Sequence, residues 1–462
     1  MSILNNALSG ALASQLALSA SSQNVANLQT KGYTRQQALL SAAGPSAGSN
    51  QAGNGVRVSS LLRFSDDYKT QQLWRSASGL GAYSQTQPYM TQLEQVMGDN
   101  ETSLSSGVDQ FFAALNAVAG VDPTSTPLRQ QVVTAAGLLA QRFNSLNNVY
   151  NGQLQSVNQQ RVAIVDSANT AIAAIASLNT RIASAHAVGT NVSPLIDQRD
   201  QAIDSLASQM GLEVSDQPDG TRNVSLKTGQ ALVLGGIAGK LSVDGGEQQA
   251  FSLTFAGSTF TNLDVASAGG QLGGLSSYEQ DTLRPLRDNV AKIAEQIADK
   301  VNTQLKAGYT MAGTKPGKDL FVYNPGNGSN MLQVTSGFQT GDLAFSADGQ
   351  PGDTGNLQAL VEIKNQQLDP SNTSWELGQV LLSDADTQLV GTLAVDSQRN
   401  KGELSTAQTL RDQAMSDWQS TSGVNQDEEA VNLVEYQNMY QANMKVMSVA
   451  NALFDATLAM MG

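Results

Sequence analysis

Apolar side chains near the start of the chain, Ile3, Leu4, Leu8, Leu12, Leu16 and Leu18 with Val25 and Leu28 beyond them, recur mostly at three- or four-residue steps. That spacing lines one face of an α-helix. The far end repeats the pattern more strongly. Met439, Ala442, Val446, Val449, Leu453, Ala456 and Met460 alternate steps of three and four, a heptad seam. Beside it, Tyr440, Met444, Met447, Ala450, Phe454, Leu458 and Met461 widen the apolar face enough to meet more than one neighbour. Asn425 is a capping residue type with Glu428 three positions on, and Asp427, Glu428 and Glu429 sit where the helix dipole favours negative charge.

Between these arms, apolar residues from Leu128 to Ile182 keep a helical period after Asp122-Pro123-Thr124 with no further proline or glycine cluster, which predicts one helix over 126–186. A rod of roughly 60 residues approaches about 90 Å, several times the diameter of a globular domain, so the molecule is expected to be elongated. Further helices are predicted at 66–98, 105–119, 194–210, 276–307, 357–368 and 384–420. Two regions read as strands. Residues 34–64 form a long hairpin, Gln36 to Ser41 and then Val56, Val58 and Leu61, around a turn from Gly44 to Gly55. Residues 211–275 carry short β-prone runs at Leu212–Val214, Asn223–Leu226, Ala231–Leu234, Leu241–Val243, Phe251–Phe255 and Leu263–Val265, punctuated by Asp219-Gly220 and Gly235-Gly236.

The expected fold is multidomain and mainly α: a long helical bundle and coiled-coil-like termini with an inserted all-β domain. Segments 1–32 and 423–462 form a terminal helical assembly domain, and 33–210, 276–310 and 357–422 a long-helix middle domain that includes the hairpin. Segment 211–275 is the β insertion, and 311–356, rich in Gly, Asp, Asn and Pro, an irregular excursion. Helices on both sides of the insertion place both termini at one end.

Composition narrows the chemistry. The 462 residues hold 26 Lys and Arg against 40 Asp and Glu, a net charge of −14, and only 14% are charged, where about 25% is usual. The surface is therefore mostly neutral and polar. With no cysteine and a single histidine, His186, there is no disulfide scaffold, thiolate metal site or His-rich metal centre. An acidic chain without a Lys/Arg cluster has no means of neutralising phosphates, so no nucleic-acid partner is expected. No run reaches 18 apolar residues, and Asn5, Asn6, Ser9, Ser14 and Gln15 interrupt the start, so neither membrane insertion nor a cleaved signal peptide is expected. Gly308 to Lys315 has Thr and Lys in the wrong order for a phosphate loop, and Gly269 to Gly274 lacks the dinucleotide spacing. Asp216 to Asp219 lacks the calcium-loop series. His186 suits the negative end of the long helix. No catalytic, cofactor or metal residue is assigned. Burying the apolar side chains of the two arms contributes roughly 40 kcal/mol against about 100 kcal/mol for ordering their residues, so the arms are expected to be poorly ordered in the free chain and to gain order when several copies meet.

Two motifs resemble a known family. The run Ser21-Ser22-Gln23-Asn24-Val25-Ala26-Asn27-Leu28-Gln29-Thr30-Lys31-Gly32-Tyr33-Thr34-Arg35 resembles the Asn-rich signature of bacterial flagellar axial proteins, and its Gly-Tyr-Thr-Arg ending is most similar to the hook-associated protein 1 branch. Ser422, Asn425, Asp427, Glu428, Glu429, Asn432, Tyr436, Asn443, Asn451, Phe454 and Asp455 match that branch's C-terminal helix. Lys31 departs from the Pro that relatives often carry there. The resemblance implies a structural protein, not an enzyme, exported unfolded through the flagellar type III apparatus without signal cleavage and placed extracellularly at the junction of hook and filament. It implies as partners other copies in a helical array, hook protein, the second junction protein (hook-associated protein 3), and a secretion chaperone on 423–462. It also implies that the terminal helices line the inside of a tube and that the β insertion faces outward.

On this reading Leu4, Leu8, Leu12 and Leu16 pack against Val446, Leu453, Phe454 and Leu458 within and between copies, with Val449 and Met461 completing the interface. Asn24, Asn27, Gly32 and Tyr33 shape the hinge from the first helix to the hairpin. Three alternatives stay open: a hook or distal-rod subunit, an exported wall hydrolase, or a surface adhesin whose binder is the β insertion.

Overall fold

In a computed structural model that describes residues 2–44, 53–99, 103–244, 250–264, 266–267, 269–326, 329–369 and 380–461, the architecture is mainly α and built along one spine. Helix α1 (Ser2–Ala26) and the hairpin of β1 (Gln36–Ala42) and β2 (Val56–Arg63) precede α2 (Asp67–Met97), α3 (Leu104–Val121), α4 (Thr126–Ala187) and α5 (Ser193–Gln209). The spine is α4, an unbroken helix of 62 residues with Pro127 in its first turn, where a missing N–H costs nothing. At the α-helical rise it is about 93 Å long. Asp66 starts α2 by accepting from the N–H of Lys69 at 3.2 Å.

The chain then forms β3 (Leu212–Asp216), β4 (Arg222–Leu226), β5 (Ala231–Leu234), β6 (Ile237–Ala238), β7 (Lys240–Val243), β8 (Phe251–Phe255) and β9 (Ser258–Phe260). These make two antiparallel meanders, β3-β4-β5-β6 and β7-β8-β9. Helix α6 (Gly270–Ser277), a π-helical stretch at Tyr278–Leu283 and α7 (Arg284–Ala307) return the chain to the helical layer. The β10 (Phe321–Tyr323) and β11 (Leu332–Val334) pair, α8 (Gly355–Glu362), α9 (Ala385–Ser422) and α10 (Gln426–Met461) follow. Helix α9 packs along α2, and α10 along α1.

Side-chain amides fasten the strands to the helices. Asn179 of α4, fully buried, accepts from the N–H of Arg222 at 3.1 Å and donates to the carbonyls of Arg222 at 2.7 Å and Gly235 at 2.8 Å. Asn169 grips Leu241 in the same two-way fashion, at 2.8 Å each way. Asn144 does so for Leu332, and Asn302 of α7 for Phe321. Each amide acts as one residue of a neighbouring strand, closing an edge that otherwise leaves backbone groups unpaired. A stretch of α4 is long and apolar enough to cross a membrane by composition alone, but Ile164, Ile172, Ile175 and Ile182 are buried in the protein core.

Four predicted elements differ. The helix expected from 276 begins at Gly270 and is interrupted, because Pro285 at the head of α7 lacks an N–H and the π-helical turn before it absorbs the break. No strand forms at Leu263. The pairing is made instead by β9, through a two-residue turn with Ala256 at φ 47° and Gly257 at φ 86°, an Ala-Gly pair that lacks the usual Asn-Gly signal. Val265 lies outside the described residues, as do 327–328 in the segment expected to be irregular. That segment, 311–356, holds the β10–β11 pair and buries Leu320, Phe321, Met331, Leu332, Leu343 and Phe345. Phe321 meets the Phe111 ring edge-on at 5.7 Å. The helix expected over 357–368 ends earlier, at Glu362, and tightens into a 3₁₀ turn over Ile363–Asn365.

Replacing Asn179 by Ala strands buried backbone groups at Arg222 and Gly235, and is expected to lower the free energy of unfolding by on the order of 3 kcal/mol. Urea titration followed by circular dichroism measures it. A loss no larger than that of an ordinary surface substitution, about 0.5 kcal/mol, would refute the clamp.

Candidate assembly surface

Helices α1 and α10 lie antiparallel. Ser21 donates to Glu429 Oε2 at 2.6 Å near one end of the pair, and Gly10 faces Asn443 further along. Apart from Asn24 near its end, the residues that α1 buries are small: Ala7, Ala11, Ala13, Ser14, Ala17, Ala20 and Ser21. Small residues let backbones approach, and a Cβ at Gly10 would stand 2.5 Å from Asn443 Oδ1. On α10 the covered positions include Glu429, Leu433, Tyr436, Tyr440, Asn443, Met447 and Ala450, steps of four and three, with Asn432 beside them.

This reverses part of the expected packing. Leu8, Leu12 and Leu16 point outward, Leu12 being 57% exposed, and Leu4 is half-buried. Val446, Val449, Leu453, Phe454 and Leu458 are also exposed, Phe454 by 61%. The two sets therefore do not pack on each other within one chain. Instead the stripe through Tyr440, Met447 and Ala450 turns toward α1. The side chain of Met461 lies outside the described residues. The arms, expected to gain order only when copies meet, are already helical and paired in the single chain, and what remains uncovered is their outer face. With Gly10 opposite Asn443, α1 ends opposite residue 451 or so, at about 1.5 Å of rise per residue on both helices. Residues 451–460 protrude beyond it, all exposed.

The arms meet the body at a buried polar knot centred on Asn24, which is 1% exposed. Its Oδ1 accepts from Gln36 N at 3.0 Å and Tyr33 OH at 2.9 Å. Its Nδ2 donates to Gln36 O at 2.8 Å and Glu429 Oε1 at 3.0 Å. All four hydrogen-bonding positions of the amide are used, and Asp in its place would lose both donors. Burial pushes the Tyr33 phenol up to about 12, with the Asp197 and Glu429 carboxylates adding to the effect. Asn27 Nδ2 donates to Gln23 O at 2.9 Å and its Oδ1 accepts from Thr30 Oγ1 at 3.1 Å, closing the end of α1. Gly32 takes φ +77°, with Gln201 packed 2.9 Å from where a Cβ would be.

At the start of α10, Asn425 Oδ1 accepts from the N–H groups of Asp427 at 3.0 Å and Glu428 at 3.4 Å, so the cap forms as the motif implies. Glu428 does not reach back to Asn425; it pairs with Arg35, whose guanidinium also lies over the Phe64 ring at 4.3 Å. Asp427 stays exposed in the first turn.

Sequence reasoning missed the partners that carry the knot into the body. Asp197 of α5 accepts from Thr34 N at 3.1 Å and Arg63 Nε at 3.0 Å. Arg63 reaches Asp200 at 3.1 Å, and Asp200 binds Arg222 of β4 at 2.7 Å. Burial holds the Asp197 carboxyl above its ordinary range, opposed in part by Arg63 and Thr34. These residues stand far apart along the chain, and no local spacing marks them. Beside the knot a cavity of about 630 Å³ opens between the turn after α1, α2, α5 and the end of α9.

Comparison with known proteins follows this geometry. A family model described as the flagellar hook-associated protein FlgK helical domain matches residues 90–321. Another, described as the flagellar basal body rod FlgEFG protein C-terminal, matches 415–460. The flagellar hook-associated protein 1 of Salmonella typhimurium is 28% identical, with 99% of each chain covered, and that of Escherichia coli K12 27% with the same coverage. The Bacillus subtilis protein of the same name is 24% identical over 97% of this chain and 96% of its own. None of these relatives is named as a hook subunit, a wall hydrolase or an adhesin. The Salmonella alignment runs over 552 residues against the 462 here, so that relative carries segments this chain lacks. The flagellar hook junction protein FlgK from Burkholderia pseudomallei shares the fold, with TM-score 0.64 and 17% identity over 76% of this chain and 100% of its own.

The Asn24→Asp variant loses two donated bonds and sets a second carboxylate against Glu429, which is expected to cost on the order of 3 kcal/mol locally. Hydrogen exchange should rise at the end of α1 and the start of α10 and stay unchanged in α4; unchanged exchange at the arm root would refute the hub. Tyr33 has a folded pKa of about 12 against an ordinary 10.0. The native state therefore holds this proton more tightly, and its contribution to stability is full below pH 10 and fades as pH rises toward 12. Comparing alkaline unfolding of the parent and Tyr33→Phe measures that contribution as the steeper decline of the parent; superimposable profiles would rule it out.

Proposed function

This chain belongs to the flagellar hook-associated protein FlgK family, and on that footing we propose that it is the structural subunit joining the flagellar hook to the filament. The observation that carries the reading is the outer face of the paired arms, where Leu8, Leu12, Leu16, Val446, Val449, Leu453, Phe454 and Leu458 stand exposed along helices with few charges. Each such side chain gains about 1.5–3 kcal/mol on burial, so a contact between copies that covers several of them supplies the driving force for assembly. Leu4, half-buried, borders the same surface.

In this reading segments 1–32 and 423–462 form the assembly domain, and the polar knot at Asn24, Asn27, Gly32 and Tyr33 fixes its angle to the body. The body comprises 33–210, 276–310 and 357–422, with 211–275 as the β insertion and 311–356 as a packed lobe. A two-helix arm that presents different surfaces at its two ends suits head-to-tail contacts, which generate open helical arrays. The subunit then adjoins hook protein on one side and the second junction protein, hook-associated protein 3, on the other. Before assembly, 423–462 engages a secretion chaperone, and the protein leaves the cell through the flagellar export apparatus without losing a signal peptide. Its role is mechanical, without catalysis or a cofactor.

Leu453→Asp is expected to leave the soluble chain folded, with an unchanged circular dichroism spectrum, and to abolish its incorporation into flagella. A strain lacking the protein, viewed by electron microscopy, should keep hooks and lose filaments. Normal incorporation of Leu453→Asp would remove the outer face from the account, and filaments on the deletion strain would remove the junction role.

A further inference from the structure

We propose that the cavity at the arm root receives apolar side chains from the protruding end of α10, residues 451–461, of a second copy of this chain. The inference rests on the assembly reading above and names the contact that would propagate it. Among the described residues nothing covers the protruding end, which extends past α1: Leu453 is 59% exposed, Leu458 54% and Met460 79%. It lies at one extremity of the arm pair, and the cavity lies at the other, beside the turn after α1. A contact between these unlike surfaces joins copies in line and leaves the growing array with one free surface of each kind.

The cavity suits that occupant. Its volume of about 630 Å³, within the range of roughly 300–1,000 Å³ typical of pockets that enclose a small ligand, is room for a few apolar side chains of a helix laid against it. Leu28, Trp74 and Trp418 supply apolar wall. The acids that line it are already paired, Asp200 with Arg63 and Arg222, and Asp204 with Arg411. Lys31 is left at the rim, exposed and without an ion pair among the described residues. Residues 451–461 carry one charge, Asp455, likewise without an ion pair among the described residues. An apolar end with one negative charge therefore meets a cavity of mixed polar and apolar lining with one uncompensated positive charge.

The chain has no cysteine, so engineered pairs report contacts without background. Full-length Leu28→Cys and Phe454→Cys variants are mixed under assembly conditions and mildly oxidised. The expected product is the mixed disulfide of residues 28 and 454, in excess over either homodimer. Lys31→Glu or Asp455→Lys alone should raise the assembly threshold about threefold, the scale of a partly screened ion pair, and the two charge reversals together should restore it. Assembly that proceeds without the mixed disulfide, or a double reversal that fails to recover the threshold, would overturn the cavity assignment and leave the outer-face reading standing. A parent chain that never assembles would overturn both.

Discussion

The amide of Asn24 holds the arms to the body, and the architecture of this end of the molecule depends on it. The arms are helices with little charge and a large apolar outer face, so nothing in their own composition sets their direction. Direction comes from a buried polar group whose four hydrogen-bonding positions are all satisfied by three different segments: Gln36 of the hairpin, Tyr33 of the turn, and Glu429 of the last helix. Leaving any of these buried partners unmet costs more than the bond itself contributes, so the knot is specific as well as stabilising. Through Thr34, Asp197, Arg63 and Asp200 the same network reaches Arg222 in the β insertion. Arm root and insertion are thereby tied by one continuous set of charged and polar contacts.

The same device recurs along the spine. A chain with only 14% charged residues and many amide side chains secures its short strands with Asn beside a few ion pairs such as Lys306–Asp319 and Lys318–Asp342. Asn144, Asn169 and Asn179 project from a single helix to three separate strands, and each supplies the donor and the acceptor that a sheet edge lacks. An amide does this without the desolvation penalty of a buried charge, and its two functions match the geometry of a peptide group. A long rigid helix thus organises strands that are too short to stabilise one another as independent sheets.

The arms show why helical periodicity was easy to read and packing was not. Repeats of three and four identify α1 and α10 as helices, and the Pro and capping signals place α4 and α10 to within a few residues. Yet α10 carries two apolar stripes, and the richer one, through Val446, Val449 and Leu453, faces away. The stripe that pairs with α1 includes Glu429 and Asn443. On α1 the covered surface is made of Ala, Ser and Gly, and the leucines lie outside. Close approach of two backbones favours small residues where the helices touch, and the large side chains remain outside.

What residue order established here is local: which segments coil into helices, where they start, that an all-β segment interrupts them, and that the ends carry a recognisable flagellar signature. Those properties follow from φ/ψ preferences and side-chain spacing within a few residues. What folding in three dimensions settled is which face turns inward, how Ala256-Gly257 redirects a strand, that 311–356 packs rather than wanders, and that Asp197, Arg63 and Arg222 converge near Asn24. Each of these depends on groups brought together from distant parts of the chain. Their hydrogen bonds and burial have no counterpart in local spacing.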